Sequence, residues 1–137
     1  ATDPSGRFAA LWRPYHFIGL ELGVSVASAA LRGEPTGSAE TWAGDVAATA
    51  KRDLAAGEVL DGEGGAMVWG KCIPAVRSLA EGALPIGLAH GIPLTRPVRA
   101  GEMLRWADVR VDEGAEAVRI RRAMEAKAAP GLRRAAE

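Results

Sequence analysis

The feature that most limits what this chain can fold into is a repeat. Ala50–Leu60 (AKRDLAAGEVL) lies over Leu94–Leu104 (LTRPVRAGEML) at an offset of 44 residues. Arg52 meets Arg96, Ala56 meets Ala100, Gly57 meets Gly101, Glu58 meets Glu102 and Leu60 meets Leu104. Leu54 with Val98, and Val59 with Met103, are conservative partners. A unit used twice implies two similar supersecondary pieces that bury a shared face. Each copy reads as an incoming strand, a tight turn with glycine where positive φ is required, and an outgoing strand. Arg52–Leu54 and Arg96–Val98 come in; Glu58–Leu60 and Glu102–Leu104 go out. A pseudo-two-fold axis then brings Leu54, Leu60, Val98 and Leu104 together. Pro97, standing where the first half has Asp53, removes an N–H and places its strand at an edge or bulge.

The surrounding text agrees with short strands. Asp45–Leu54 shows alternation around Val46, Ala48 and Ala50, Met67–Ala75 is another strand candidate, and Leu84–Val98 holds one or two more. Pro74, Pro85, Pro93, Pro97 and frequent glycines argue against long helices here. Upstream, Pro14–Glu34 (PYHFIGLELGVSVASAALRGE) reads as a helix. Pro14 suits its first turn and Gly33, with Pro35 beyond, its end. Phe17, Ile18, Leu20, Leu22, Val24, Val26 and Leu31 wrap most of it, so burial on several sides is expected. Gly19, Gly23 and Ala27 follow at helical spacing and let another backbone come close. With about 17 residues and Glu21 inside the run, a membrane span is not expected. A partner is: the rest of a longer polypeptide, or a second subunit in a homo-oligomer. Residues 33–44 form a turn-rich linker in which Trp42 docks onto something. Residues 113–127 return to helix, with Val118, Met124 and Ile120 facing inward, and the end is expected to fray after Pro130. The division is 1–43 for the helical segment and linker, 44–112 for the strand domain, and 113–137 for the final helix and tail.

Charge narrows the function classes. Lys plus Arg and Asp plus Glu both number 17. Nucleic-acid binding usually shows as a basic excess, so none is expected, although Arg119, Arg121, Arg122, Lys127, Arg133 and Arg134 crowd the last 25 residues. Cys72 is the one cysteine. That rules out an intrachain disulfide and suits a reducing, cytoplasmic setting, with Cys72 as a small core residue. The start shows neither an initiator Met nor a secretory-signal pattern, as expected of a fragment or processed chain.

Beside the residues, there is a resemblance. A-x-x-D-L-x-A-G-E-x-L from Ala50, and L-P-x-G-L-A-x-G-x-x-L-x-x-x-V-x-A-G-E-x-L-x-x-x-D-V from Leu84, resemble the SAF (antifreeze-like) domain. That resemblance implies a β-clip of short pseudo-symmetric strands, with a short helical turn near Asp108-Val109; the whole chain is then α+β. Arg13–Gly37, Gly44–Gly65 and Leu84–Gly91 further resemble the C-terminal third of homoserine-dehydrogenase-like NAD(P)-dependent oxidoreductases. This implies an absent N-terminal Rossmann and catalytic region that would hold the NAD(P). Within this chain no G-x-G-x-x-G opens a helix after a strand, so no cofactor is expected here, and no catalysis by the chain itself. Its role would be active-site closure or oligomerisation.

Several residues are candidates for chemistry. Arg13 and His16 either reach a substrate phosphate or carboxylate near a helix start or simply position the helix. Glu21, on an apolar helix, needs a buried partner, either Arg13 or a missing domain, or is catalytic. Lys51, Arg52, Arg96 and Arg99 lie on the repeated strands and either converge on a sugar acid or phosphate or form a solvated face; Lys71 shares that ambiguity. His90 is a ligand contact or a turn residue. Two distant histidines and one cysteine make no metal site. Trp12, Trp42, Trp69 and Trp106 read as packing anchors. The alternative to the enzyme part is a stand-alone module binding a sugar acid or a protein. Ice binding would need a flat, fairly apolar face, and this region is studded with charge.

Overall fold

The computed structural model of the chain describes residues 2–15, 17–39 and 41–134, with side chains through residue 129. The chain forms two compact units, Ala1–Glu40 and Thr41–Glu137.

In the first unit a short bridge joins Thr2 and Ala9, with the Asp3 carboxylate accepting the N–H groups of Ser5 and Phe8 inside it. Helix α1 spans Ile18–Ala27 and widens into a π-helical turn over Ser28–Arg32, which Gly33 closes in the left-handed region. The helix expected from Pro14 therefore starts four residues later. Residues ahead of it are drawn aside instead: Arg13 lies over the Tyr15 ring and bonds Glu21, and Tyr15 stacks on Phe17. No α1 residue is buried, and Ser28 is the buried residue of the π turn.

The second unit is α+β. Strand β1 (Gly44–Ala50) pairs antiparallel with β3 (Val68–Pro74), and β2 (Val59–Asp61) with β4 (His90–Pro93). Helix α2 (Ala75–Glu81) follows β3, 3₁₀ turns occupy Ile86–Leu88 and Trp106–Asp108, and α3 runs Glu116–Arg134. The last 3₁₀ turn stands just before Val109, where the resemblance placed one.

The repeat expresses itself as a dyad. Leu54 and Val98, equivalent positions, bond each other's backbone at 2.8 and 2.9 Å. Gly57 N–H donates to Leu94 O at 2.8 Å, and Gly101 N–H to Ala50 O at 2.8 Å. Leu94 N–H donates to Glu58 O, and Ala50 N–H to Glu102 O, both at 2.9 Å. Every one of these bonds runs from one half to the other. Gly57 and Gly101 take φ of 86° and 80°, the left-handed turn the spacing required. Leu54, Leu60, Val98 and Leu104 are all buried, in a core shared with Val68, Leu84 and Leu94. The incoming strands are shorter than expected: Leu54 and Val98 form a single bridge rather than a ladder.

Other expectations are corrected. Cys72 is exposed, since it lies on β3 opposite the exposed Val46, away from the Ala50–Val68 end where that face of the sheet is covered. Ile120 is 62% exposed and Met124 37%, whereas Val118 is buried as expected; the side of α3 turned to the body carries Val118, Arg121 and Glu125. Helix α3 continues through Pro130 instead of fraying there. Helix α2 was not anticipated: Pro74 and Gly82 bracket it, and both read as strand punctuation. Trp42 does dock, beneath Arg121 at 4.7 Å, and Trp106 lies beneath Arg122 at 3.8 Å. Trp12 and Trp69 are exposed rather than anchoring.

Candidate functional site

The two A-G-E turns build the same ion pair twice. Glu58 accepts the Ala55 N–H at 2.6 Å and Arg52 Nη2 at 2.6 Å. Glu102 accepts the Arg99 N–H at 3.1 Å and Arg96 Nη2 at 2.7 Å. Each arginine also donates to the carbonyl after it, Asp53 O at 2.9 Å and Pro97 O at 3.0 Å. The arginine hydrogen bonds and then the turn N–H hold both carboxyls below their ordinary values. The halves then diverge. Arg96 Nε bonds the buried Asp108 at 2.6 Å, whose other oxygen accepts the Arg105 N–H at 2.8 Å. Asp53 reaches across the axis to the Ala100 N–H at 2.8 Å, and Pro97 has no acceptor with which to reciprocate.

A second cluster surrounds the loop from β2 to β3. The Asp61 carboxylate accepts the N–H groups of Ala66 at 2.5 Å and Met67 at 3.1 Å. Burial opposes its ionisation, but those N–H groups and the nearby Lys51 hold its pKa below the ordinary value. Lys51 Nζ donates to the Gly65 carbonyl. A Cβ on Gly65 would run into the Asp61 carboxyl group, so a side chain there would push that carboxylate off the Ala66 and Met67 N–H groups. His90, opposite Asp61 in the β2–β4 pair, donates from Nδ1 to the Asp61 carbonyl at 3.1 Å. That fixes its tautomer and leaves Nε2 as the open ring nitrogen.

The sequence candidates thus separate. Lys51, Arg52 and His90 gather at the Asp61 loop, where the Arg52 charge also acts on Asp61. Arg96 belongs to the other half, its guanidinium engaged by Glu102 and Asp108. Arg13 Nη2 lies 2.6 Å from Glu21 Oε1 in the first unit; Arg13 is one of the partners expected for Glu21, but the pair is part-exposed and not buried. His16 lies outside the described residues. Lys71 and Arg99 are exposed. Asp61 went unnoticed in the sequence, although D-G-x-G-G carries the signal of a carboxylate capping a glycine loop.

A third cluster is structural. Asp45, buried on β1, takes a bidentate fork from Arg121 of α3 at 2.5 and 3.1 Å and a hydrogen bond from Ser78 of α2. Arg121 also bonds Glu125 at 2.7 Å. Burial raises the Asp45 pKa, but the Arg121 and Ser78 bonds outweigh it and the net direction is downward.

Among the described residues no group of three His, Cys, Asp or Glu could hold a metal ion. The Gly62–Gly65 loop does not fit a dinucleotide: it joins two strands, and the Asp61 carboxylate and Lys51 occupy its turn. None of the described helices is long and apolar enough to cross a membrane.

A duplicated, pseudo-two-fold module of short strands, set between helices, is an α+β β-clip. Residues 45–110 match the family model of the SAF domain, and the chain carries a SAF domain there. No curated protein matches the chain.

Proposed function

We propose that this chain is the non-catalytic C-terminal portion of a homoserine-dehydrogenase-like NAD(P)-dependent oxidoreductase of the cytoplasm, helping to close the active site and hold the oligomer. The observation that carries the reading is the first unit's lack of a core. Phe8, Leu11, Trp12 and Leu31 are 71–93% exposed there, as expected of a segment whose packing partners lie elsewhere in a larger fold. The resemblance of Arg13–Gly37 supports the same context. NAD(P) belongs to that parent's N-terminal region. Arg52, at the Asp61 loop, is the group suited to meet a substrate carboxylate or phosphate, and the open Nε2 of His90 is suited to accept a hydrogen bond from a substrate hydroxyl. Arg96 has two carboxylate partners, Glu102 and Asp108, whereas Arg52 has one, Glu58.

The test has two arms. Upstream coding sequence should carry a G-x-G-x-x-G between a strand and a helix, and the full product should bind NAD(P)H in a fluorescence titration. In that product, Arg52→Ala and His90→Ala should raise KM more than they lower kcat. A reading frame without the fingerprint overturns the proposal and leaves a stand-alone SAF module for a sugar acid or a protein.

A further inference from the structure

We infer that Gly62 is a positioning residue for His90, and that the pair makes the Asp61 loop a site for a hydroxy acid rather than a phosphate. This deepens the reading above and rests on its placement of substrate at that loop.

Three separate devices set the His90 ring. Its Nδ1 donates to the Asp61 carbonyl at 3.1 Å. Gly62 gives the ring its space: a Cβ there would fall 2.9 Å from Nδ1, 3.0 Å from the His90 Cβ and 3.2 Å from Cγ. A side chain at position 62 would therefore turn the ring off the Asp61 carbonyl. The third device is the backbone under His90. Val59 pairs with Pro93 and Asp61 with His90, so β4 takes three steps where β2 takes two. Gly91, with φ of 69°, lies within that irregular step. A bulge of this kind re-aims the side chain next to it. His90 is exposed, so this constraint serves no core. What it fixes is the direction of Nε2.

The ligand class follows from donors and acceptors. With the Nδ1 hydrogen committed to a carbonyl, the neutral ring offers Nε2 as an acceptor. The oxygens of a fully ionised phosphate are acceptors too and cannot bond it, whereas a hydroxyl can. An ammonium could also donate, but Lys51 and Arg52 place positive charge at the same loop. Lys51 Nζ bonds the Gly65 carbonyl rather than a carboxylate. An ammonium carries three hydrogens, so Lys51 can still donate beside Arg52 to a ligand carboxylate next to the hydroxyl.

Nitrogen NMR on the 137-residue chain reads the tautomer directly. A His16→Gln background leaves His90 as the single histidine. At about pH 8, where imidazole side chains are neutral, Nδ1 should show the shift of a protonated ring nitrogen and Nε2 that of a bare one. Gly62→Ala should move both shifts toward the opposite tautomer. Gly64→Ala is the control. Gly64 has φ of 80° against 76° for Gly62, so alanine meets the same backbone strain, but its Cβ would touch nothing within 4 Å. It should leave the His90 shifts as they are. In titrations, glycolate should bind about 5-fold tighter than acetate, the worth of one net hydrogen bond. Gly62→Ala and His90→Ala should each erase that preference, and inorganic phosphate should leave the Nε2 shift unchanged. A bare Nδ1 in the parent chain, equal responses to the two glycine substitutions, or glycolate binding no tighter than acetate would each overturn the inference. The oxidoreductase reading fails on different grounds, the missing upstream fingerprint.

Discussion

Gly57 and Gly101 sit at equivalent places with nearly equal φ, and a Cβ at either would meet nothing within 4 Å. Alanine there is opposed by backbone conformation alone. Gly57→Ala and Gly101→Ala should therefore cost the same, about 1–2 kcal/mol each, in urea denaturation. Arg52 and Arg96 should behave unequally. Arg52→Ala breaks an exposed pair, whereas Arg96→Ala also strips a partner from the buried Asp108. Arg96→Ala should lower stability by about 1–3 kcal/mol and Arg52→Ala by clearly less. Thr49 Oγ1 is buried with no hydrogen-bond partner among the described residues. Thr49→Val keeps the shape and removes the stranded hydroxyl, so it should stabilise by about 1 kcal/mol. A loss of stability in that variant would mean the hydroxyl has a partner after all.

At the level of elements, α3 is held mainly through Arg121 and Asp45, with side chains 12% and 8% exposed. Breaking a buried pair leaves an uncompensated charge, so Asp45→Ala should cost about 3 kcal/mol, and adding Arg121→Met should restore part of it. The Asp45 carboxyl titrates below its ordinary value in the fold. Its contribution is then present above about pH 4 and lost as pH falls through the lowered folded value. Denaturation midpoints followed from neutral pH into acid should fall more steeply for the parent protein than for Asp45→Asn. This clasp was invisible in the sequence because 76 residues separate its partners. The dyad was legible because its two copies are written in the chain, and the A-G-E turns state their own conformation. Helix α2 was missed because Pro74 and Gly82 serve a short helix's ends as well as they serve a strand's. The Asp61 loop was missed because a cap is recognised only once Ala66 and Met67 fold back onto it. Cys72 was misplaced because residue type alone does not say which end of a sheet face is covered.

For the whole molecule, the two units differ in how they are held. The SAF unit has two buried clusters and hydrogen bonds running between its halves. The first unit has exposed apolar side chains and local bonds. In hydrogen exchange, α1 amides should exchange far faster than those of β1 and β3, because local opening there exposes little new surface. Equal protection of the two would contradict this division. The Leu54–Val98 dyad carries one more consequence. Each half finds its acceptors on the other, so a single half in solution could satisfy its amides only by meeting another copy. Tandem duplication turns that bimolecular encounter into an intramolecular one, at an effective concentration near the millimolar range. The module therefore holds together at any dilution.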